Sequence, residues 1–242
     1  MHGYNNSYQE ALYRTAQMAA DVPSGGPPIL FAWPSAASVL GYVADRDAAI
    51  YSRTALTAVV GAVGKSPKVK RIILLGHSMG GFLSMEAVRQ LRLRGETKTL
   101  DKLQIILASP DIDVDVFQSQ MLDIGTLPTP ITLLVSKSDR ALIVSSILAG
   151  ERERVGKVDI DDPIVEAAAK ANKLRVVDIS SLKSVDGLGH DRFATFARIG
   201  GRLVREEVQN RKSIGNVGVF VFDAAGSAVT SPFRVAGAII RQ

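Results

Sequence analysis

The fold is decided by a run of eight residues that joins an aliphatic segment to an amphipathic one, Leu74-Leu75-Gly76-His77-Ser78-Met79-Gly80-Gly81. It has the form G-x-S-x-G between a predicted strand and a predicted helix, which is the context of a nucleophilic serine. Such a turn holds the serine in strained backbone geometry, and its glycines let strand and helix approach closely. Ser78 is therefore predicted to be a nucleophile. The alternative interpretation is an ordinary glycine-rich connection.

Short apolar runs alternate with amphipathic stretches on both sides of this turn, which is typical of a parallel sheet covered by helices. Strands are predicted at residues 29–33, 71–75, 103–108, 131–135 and 174–177. The spacing of Ser7 and Glu10 predicts a capped helix start, and Asp162 before Pro163 predicts another. The fold class is thus α/β, with a doubly wound, mostly parallel sheet in a catalytic domain over residues 1–212.

The sequence pattern changes near the C-terminus, where residues 213–242 are predicted to form a hairpin-like extension. Two apolar runs flank the turn signal Asp223-Ala224-Ala225-Gly226. The simplest interpretation is an edge hairpin that closes the core. The alternative is pairing with a second copy, which makes this hairpin a candidate homodimer contact.

Composition excludes several classes of protein. The 242 residues include 46% hydrophobic residues, no cysteine and a net charge of +5 that is scattered along the chain. The apolar content predicts a sizeable core, and the lack of cysteine excludes disulfides, thiolate metal sites and a cysteine nucleophile. With 6% aromatic residues, no stacking platform accompanies the charge, so nucleic-acid binding is not predicted. No apolar run is long enough to span a membrane.

A serine needs a base within hydrogen-bond reach, and the chain has three histidines. His77 lies inside the turn, where its side chain is expected to point away from the hydroxyl, and His2 lies far upstream. His190, in a loop after the last predicted core strand, is therefore the candidate general base.

The third member of such a site is an acid that orients the imidazole, and in this fold the chain order is serine, acid, histidine. Asp139 satisfies that order just after the strand at 131–135. Asp111 and Asp113, which follow the preceding strand, are the alternatives. Each of the three could instead be a loop aspartate that caps a helix.

An oxyanion hole needs two backbone donors, one from the residue after the nucleophile and one from an early loop. The first is the amide of Met79. The early segment His2-Gly3-Tyr4 indicates the amide of Tyr4 as the second. The alternative is that this segment is simply an unstructured terminus.

The chain resembles the α/β-hydrolase superfamily, and within it the uncharacterised hydrolases called domain of unknown function 900. The matching stretches run from about residue 2 to about residue 195 and are His2 to Ser7, Trp33-Pro34-Ser35, Gly41-Tyr42 with Asp45, Gly76 to Gly81, Ser109 to Asp113, Ser138 to Leu142, and Gly189-His190. The resemblance implies a serine-aspartate-histidine triad and hydrolysis without a cofactor or metal. It also implies strands before His2. We therefore expect the N-terminal strands of the sheet to be missing, either because an upstream segment is absent from this sequence or because the sheet has lost them.

The sequence therefore predicts a serine hydrolase that cleaves a small carboxylic ester, and the alternative is a non-catalytic hydrolase scaffold used as a binding module. The chain as given predicts a cytoplasmic protein, or a periplasmic or membrane-anchored one if a segment precedes Met1. The interval between residues 108 and 131 has room for one short helix near 114–122. An open site for short acyl groups is expected from this spacing.

Overall fold

The computed structural model describes residues 1–22, 25–184, 188–196, 220–223 and 234–235, the last two ranges as backbone only. Four parallel strands form the centre of the sheet in chain order: β1 (Ile72–His77), β2 (Leu103–Ala108), β3 (Thr132–Val135) and β4 (Arg175–Asp178). β5 (Phe220–Asp223) pairs parallel with β4, and β6 (Arg234–Val235) pairs antiparallel with β5. The predicted parallel α/β sheet is confirmed.

The helices are α1 (Tyr8–Asp21), α2 (Tyr42–Lys65), α3 (Met79–Leu93), α4 (Thr97–Leu100), α5 (Val114–Ile124), α6 (Arg140–Leu148) and α7 (Pro163–Ala171). Residues 192–196 are also helical. The capping box at Ser7 and Glu10 is present, and Asp162 caps α7 before Pro163. Both predicted helix starts are confirmed. Among the described residues, no helix combines the length and the hydropathy needed to cross a membrane.

The sheet is covered on both faces because its buried strands place successive side chains on opposite sides. Ile105 and Leu107 of β2 belong to the cluster that includes the buried faces of α2 and α3. Ala108 of the same strand belongs to a second cluster with Phe193, against which Met18 of α1 packs. The doubly wound arrangement follows from this alternation.

The strand predicted at residues 29–33 is wrong, because this segment pairs with no described strand. Pro28 and Pro34 flank it and cannot donate to a ladder. The amide of Trp33 donates instead to the ring of His2, at 3.2 Å. A short apolar run therefore did not distinguish a strand from a connection that packs on the N-terminal segment.

The predicted C-terminal hairpin falls largely outside the described residues. Within them, Phe220 pairs with Val235 and Val221 pairs with Arg234 in an antiparallel register. The predicted domain boundary between residues 212 and 213 also lies outside the described residues, so the division of the chain stays a prediction.

Candidate active site

Ser78 occupies the sharp turn that the motif predicts. It directly follows β1 and caps α3 with φ of 54° and ψ of −123°, a left-handed conformation that is strained for a residue with a side chain. Its amide donates to the carbonyl of Ala108 at 2.9 Å, and its carbonyl accepts from the amide of Gly81 at 2.8 Å. These bonds fix the turn between β1 and α3.

The glycines of the motif are required by close packing. A Cβ on Gly76 would lie 2.4 Å from Oγ of Ser84, and a Cβ on Gly80 would lie 2.3 Å from the carbonyl oxygen of His2. Both distances are shorter than Cβ contacts allow. The strand, the helix and the N-terminal segment can therefore approach this turn only because these positions lack side chains.

His190 and Asp139 lie together. Nδ1 of His190 donates to Oδ2 of Asp139 at 2.7 Å, and Oδ1 of Asp139 accepts from the amide of Leu142 at 3.1 Å. Asp139 is fully buried and caps α6. Because an ionised carboxylate only accepts, Nδ1 of the imidazole carries the proton and Nε2 is left as the basic nitrogen.

The segment that carries His190 is held from several sides. Nε2 of His77 donates to the carbonyl oxygen of His190 at 3.1 Å, and the ring of His77 stacks on Phe193 with centroids 4.3 Å apart. The Arg192 guanidinium donates to the carbonyl of Gly189 at 2.9 Å. Burial lowers the pKa of His77 well below its ordinary value, so this ring stays neutral.

Asp111 and Asp113 are engaged elsewhere. Oδ1 of Asp111 lies 3.2 Å from Nε of the buried Arg154, and it accepts from Oγ of Ser145 at 2.9 Å. Asp113 caps α5 and takes a forked pair of bonds from Arg152. The Arg152 guanidinium lowers the pKa of Asp113 to about 2. The geometry therefore brings Asp139, and neither of these two, to His190.

The N-terminal segment lies directly against the serine turn. The amide of His77 donates to the carbonyl of Met1 at 3.2 Å, and a Cβ on Gly3 would lie 2.7 Å from Cβ of Ser78. Within the described part of the chain, the amides of Met79 and Tyr4 donate to no other group. Neither amide is therefore committed to a partner among these described residues.

Trp33 holds this segment in place. Its indole donates to the carbonyl of His2 at 3.0 Å, and the two rings stack with centroids 4.8 Å apart. Because the amide of Trp33 donates to Nε2 of His2, Nδ1 carries the ring proton and donates to the carbonyl of Gly3. Burial lowers the pKa of His2, which favours this neutral ring.

A shallow, open depression lies beside Met79. Its walls combine the apolar side chains of Met79 and Phe82 with the polar groups of Tyr42, Arg46 and Arg154. In the described ranges, no group of three or more metal-binding side chains is present.

The comparison with known families gives one result. The model of a family described as alpha/beta hydrolase of unknown function, domain of unknown function 900, matches residues 1–207. The chain belongs to this alpha/beta-hydrolase family. The resemblance and the hydrolase fold predicted from the sequence are thereby confirmed. No curated protein and no solved structure gives a significant match.

Several residues of this alpha/beta hydrolase that shape the site were missed by sequence reasoning. Trp33 and Asp45 matched the family pattern, but their contacts with the N-terminal segment had no local signal. Arg154 lies in the alternating charge run at residues 151–154, yet its side chain is 3% exposed and forms an ion pair with Asp111. The charge run gave no sign of this burial.

Proposed function

We propose that the protein is a serine hydrolase that cleaves a carboxylic ester through an acyl-enzyme intermediate. The observation that carries the proposal is the 2.7 Å hydrogen bond between His190 and Asp139. It supports a base whose ring is oriented by a buried acid, and that base is tied through His77 to the strained turn of Ser78.

In this mechanism Oγ of Ser78 attacks the ester carbonyl carbon while Nε2 of His190 takes the hydroxyl proton. The tetrahedral intermediate collapses, and the leaving alkoxide takes that proton from His190 as the acyl-enzyme forms. A water molecule then attacks the acyl carbon by the same route, which releases the carboxylic acid and regenerates Ser78. Throughout, Asp139 stabilises the imidazolium and keeps its orientation.

The negative charge that develops on the carbonyl oxygen would be held by the amides of Met79 and Tyr4. Each such donor contributes roughly 10²–10³-fold to turnover, and the general base contributes roughly 10²–10⁴-fold. The close approach of Gly3 to Ser78 supports Tyr4 as the second donor, because it brings the neighbouring peptide to the nucleophile.

A fluorophosphonate probe tests the proposal, because it forms a covalent bond only with an activated serine. We expect labelling of the wild-type protein at Ser78 and hydrolysis of p-nitrophenyl acetate, both lost in Ser78→Ala. Ser52→Ala is the matched control, because Ser52 is also buried but bonds only to a carbonyl within α2. A wild-type protein that is neither labelled nor active would instead support the non-catalytic scaffold.

A further inference from the structure

We propose that Asp45 is a positioning residue that holds the Tyr4 amide in place for the oxyanion, a role that rests on the proposed ester hydrolysis. Asp45 lies in the first turn of α2, and its side chain is fully buried. It is outside the set of residues that would touch the reacting atoms. Its contribution must therefore act through the segment it binds.

The Asp45 carboxylate joins two separate segments to α2. Oδ2 accepts from the amide of Asn5 at 3.1 Å and from Oγ of Ser35 at 2.6 Å. Oδ1 accepts from the amide of Ala36 at 2.5 Å. One side chain thus fixes the N-terminal segment, the connection after Trp33 and the start of α2 relative to one another.

These bonds complete a clamp around the peptide between Gly3 and Tyr4. On its N-terminal side, Trp33 binds both the ring and the carbonyl of His2. On its C-terminal side, Asp45 binds the amide of Asn5, which has a left-handed φ of 54°. The Tyr4 amide lies between these two anchors, so its direction is set by contacts on both sides.

The electrostatics favour a geometric role for Asp45. A carboxylate near the developing oxyanion repels it, so Asp45 cannot assist through its charge. No cation forms an ion pair with Asp45 among the residues that the structure describes, and its charge is satisfied by three hydrogen bonds. A clamp of this kind keeps the Tyr4 amide oriented before the oxyanion forms, so the amide need not reorient during the reaction.

The test compares Asp45→Asn with Asp47→Asn, an exposed aspartate two residues further along α2. We titrate the active sites with the fluorophosphonate and measure KM and kcat per active site for p-nitrophenyl butyrate. We also measure the affinity for a boronic acid that forms a tetrahedral adduct with the serine. For Asp45→Asn we expect kcat to fall about 10- to 100-fold, boronate affinity to fall in parallel and KM to stay within about twofold. Asp47→Asn should match the wild type.

A purely structural role for Asp45 would lower the titrated number of active sites and leave kcat per site unchanged, and that result would overturn the proposal. Should Asp45→Asn fail to fold, Ser35→Ala decides, because Oγ of Ser35 binds the same Oδ2 as the Asn5 amide and its loss frees that oxygen to move. A reduced kcat with an unchanged KM supports the clamp, and a wild-type kcat overturns it. Absent labelling of the wild-type protein would instead refute the hydrolase proposal itself.

Discussion

The side chain of His77 donates a hydrogen bond of 3.1 Å to the backbone carbonyl of His190, although 113 residues separate the two. His77 directly precedes Ser78 at the end of β1. The strand that presents the proposed nucleophile therefore also fixes the backbone of the proposed base. In the proposed mechanism, these are the two residues that exchange a proton.

His77→Phe tests this link, because phenylalanine keeps the stacking on Phe193 and loses the donor to His190. We expect kcat to fall roughly tenfold, the cost of about one hydrogen bond, with KM little changed. Because burial keeps His77 neutral, its loss should leave the acid limb of the pH–rate profile unchanged. A shifted limb would mean that His77 itself titrates during catalysis.

Asp139→Asn should reduce turnover by roughly 10⁴-fold, because the amide cannot hold the imidazole in the required protonation state and orientation. Asparagine is also a good helix cap, so α6 should remain folded and the melting temperature should change little. Asp111→Asn is the matched comparison, and its effect on ester hydrolysis should be much smaller. The reverse ranking would assign the acid to the segment after β2.

Asp113→Asn should act on stability and should depend on pH. The Arg152 hydrogen bonds hold the pKa of Asp113 at about 2 in the folded protein, below its ordinary value of 3.8. A lowered folded pKa stabilises the protein above the unfolded pKa, and this contribution disappears as the pH falls from about 4 to about 2. In urea unfolding, the wild type should be more stable than the variant at pH 7, and the difference should shrink as the pH falls toward 2. A difference that does not change with pH would refute the ion pair as its source.

Gly80→Ala separates helix propensity from packing at the serine turn. Alanine is the better helix former, but its Cβ would lie 2.3 Å from the carbonyl oxygen of His2, a backbone atom that cannot move aside alone. We expect displacement of the N-terminal segment and a loss of ester hydrolysis of at least tenfold. Gly61→Ala in α2 is the control, because its Cβ would meet Leu91 at an ordinary 3.7 Å. That variant should keep full activity and gain about 0.5–1 kcal/mol of stability.

The substrate is expected to be a soluble ester with a short acyl group. The connection between β2 and β3 contains α5 and no larger cap, and charged side chains line the depression beside Met79. Turnover of p-nitrophenyl butyrate should therefore exceed that of p-nitrophenyl palmitate, with no jump in rate above the solubility limit. A jump would point to α6, where Val144 and Ile147 are exposed, as an apolar cover.

Local patterns in the sequence predicted most of the fold. The strand-turn-helix around Ser78 and the capped start of α1 follow from periodicity and cap residues within a few positions. The segment at 29–33 was mispredicted because its apolar residues fit a strand as well as they fit a connecting segment. Its structure is determined by its contact with His2, which is distant in the sequence. A pairing partner cannot be read from a short apolar run.

The candidate site was predicted through elimination and chain order, which selected His190 and ranked Asp139 above its alternatives. What holds these residues could not be predicted, because it depends on contacts between distant segments. The bond from Asn5 to Asp45 spans 40 residues, and the buried Arg154 forms an ion pair with Asp111, 43 residues earlier in the chain. No periodicity in the sequence encodes such pairs.

The two oxygens of Asp139 have different partners, since one caps α6 and the other binds His190. A substitution at this position must therefore meet two requirements, the cap of α6 and the hydrogen bond to His190. Glutamate would carry the acid one methylene further and could not reach both partners from the same backbone. Asparagine could still cap α6 but would lack the carboxylate that binds the imidazole of His190. On the proposed mechanism, a library of variants selected only for folding would accept asparagine at position 139 and accumulate inactive proteins, so directed evolution of this scaffold would need selection for activity in every round.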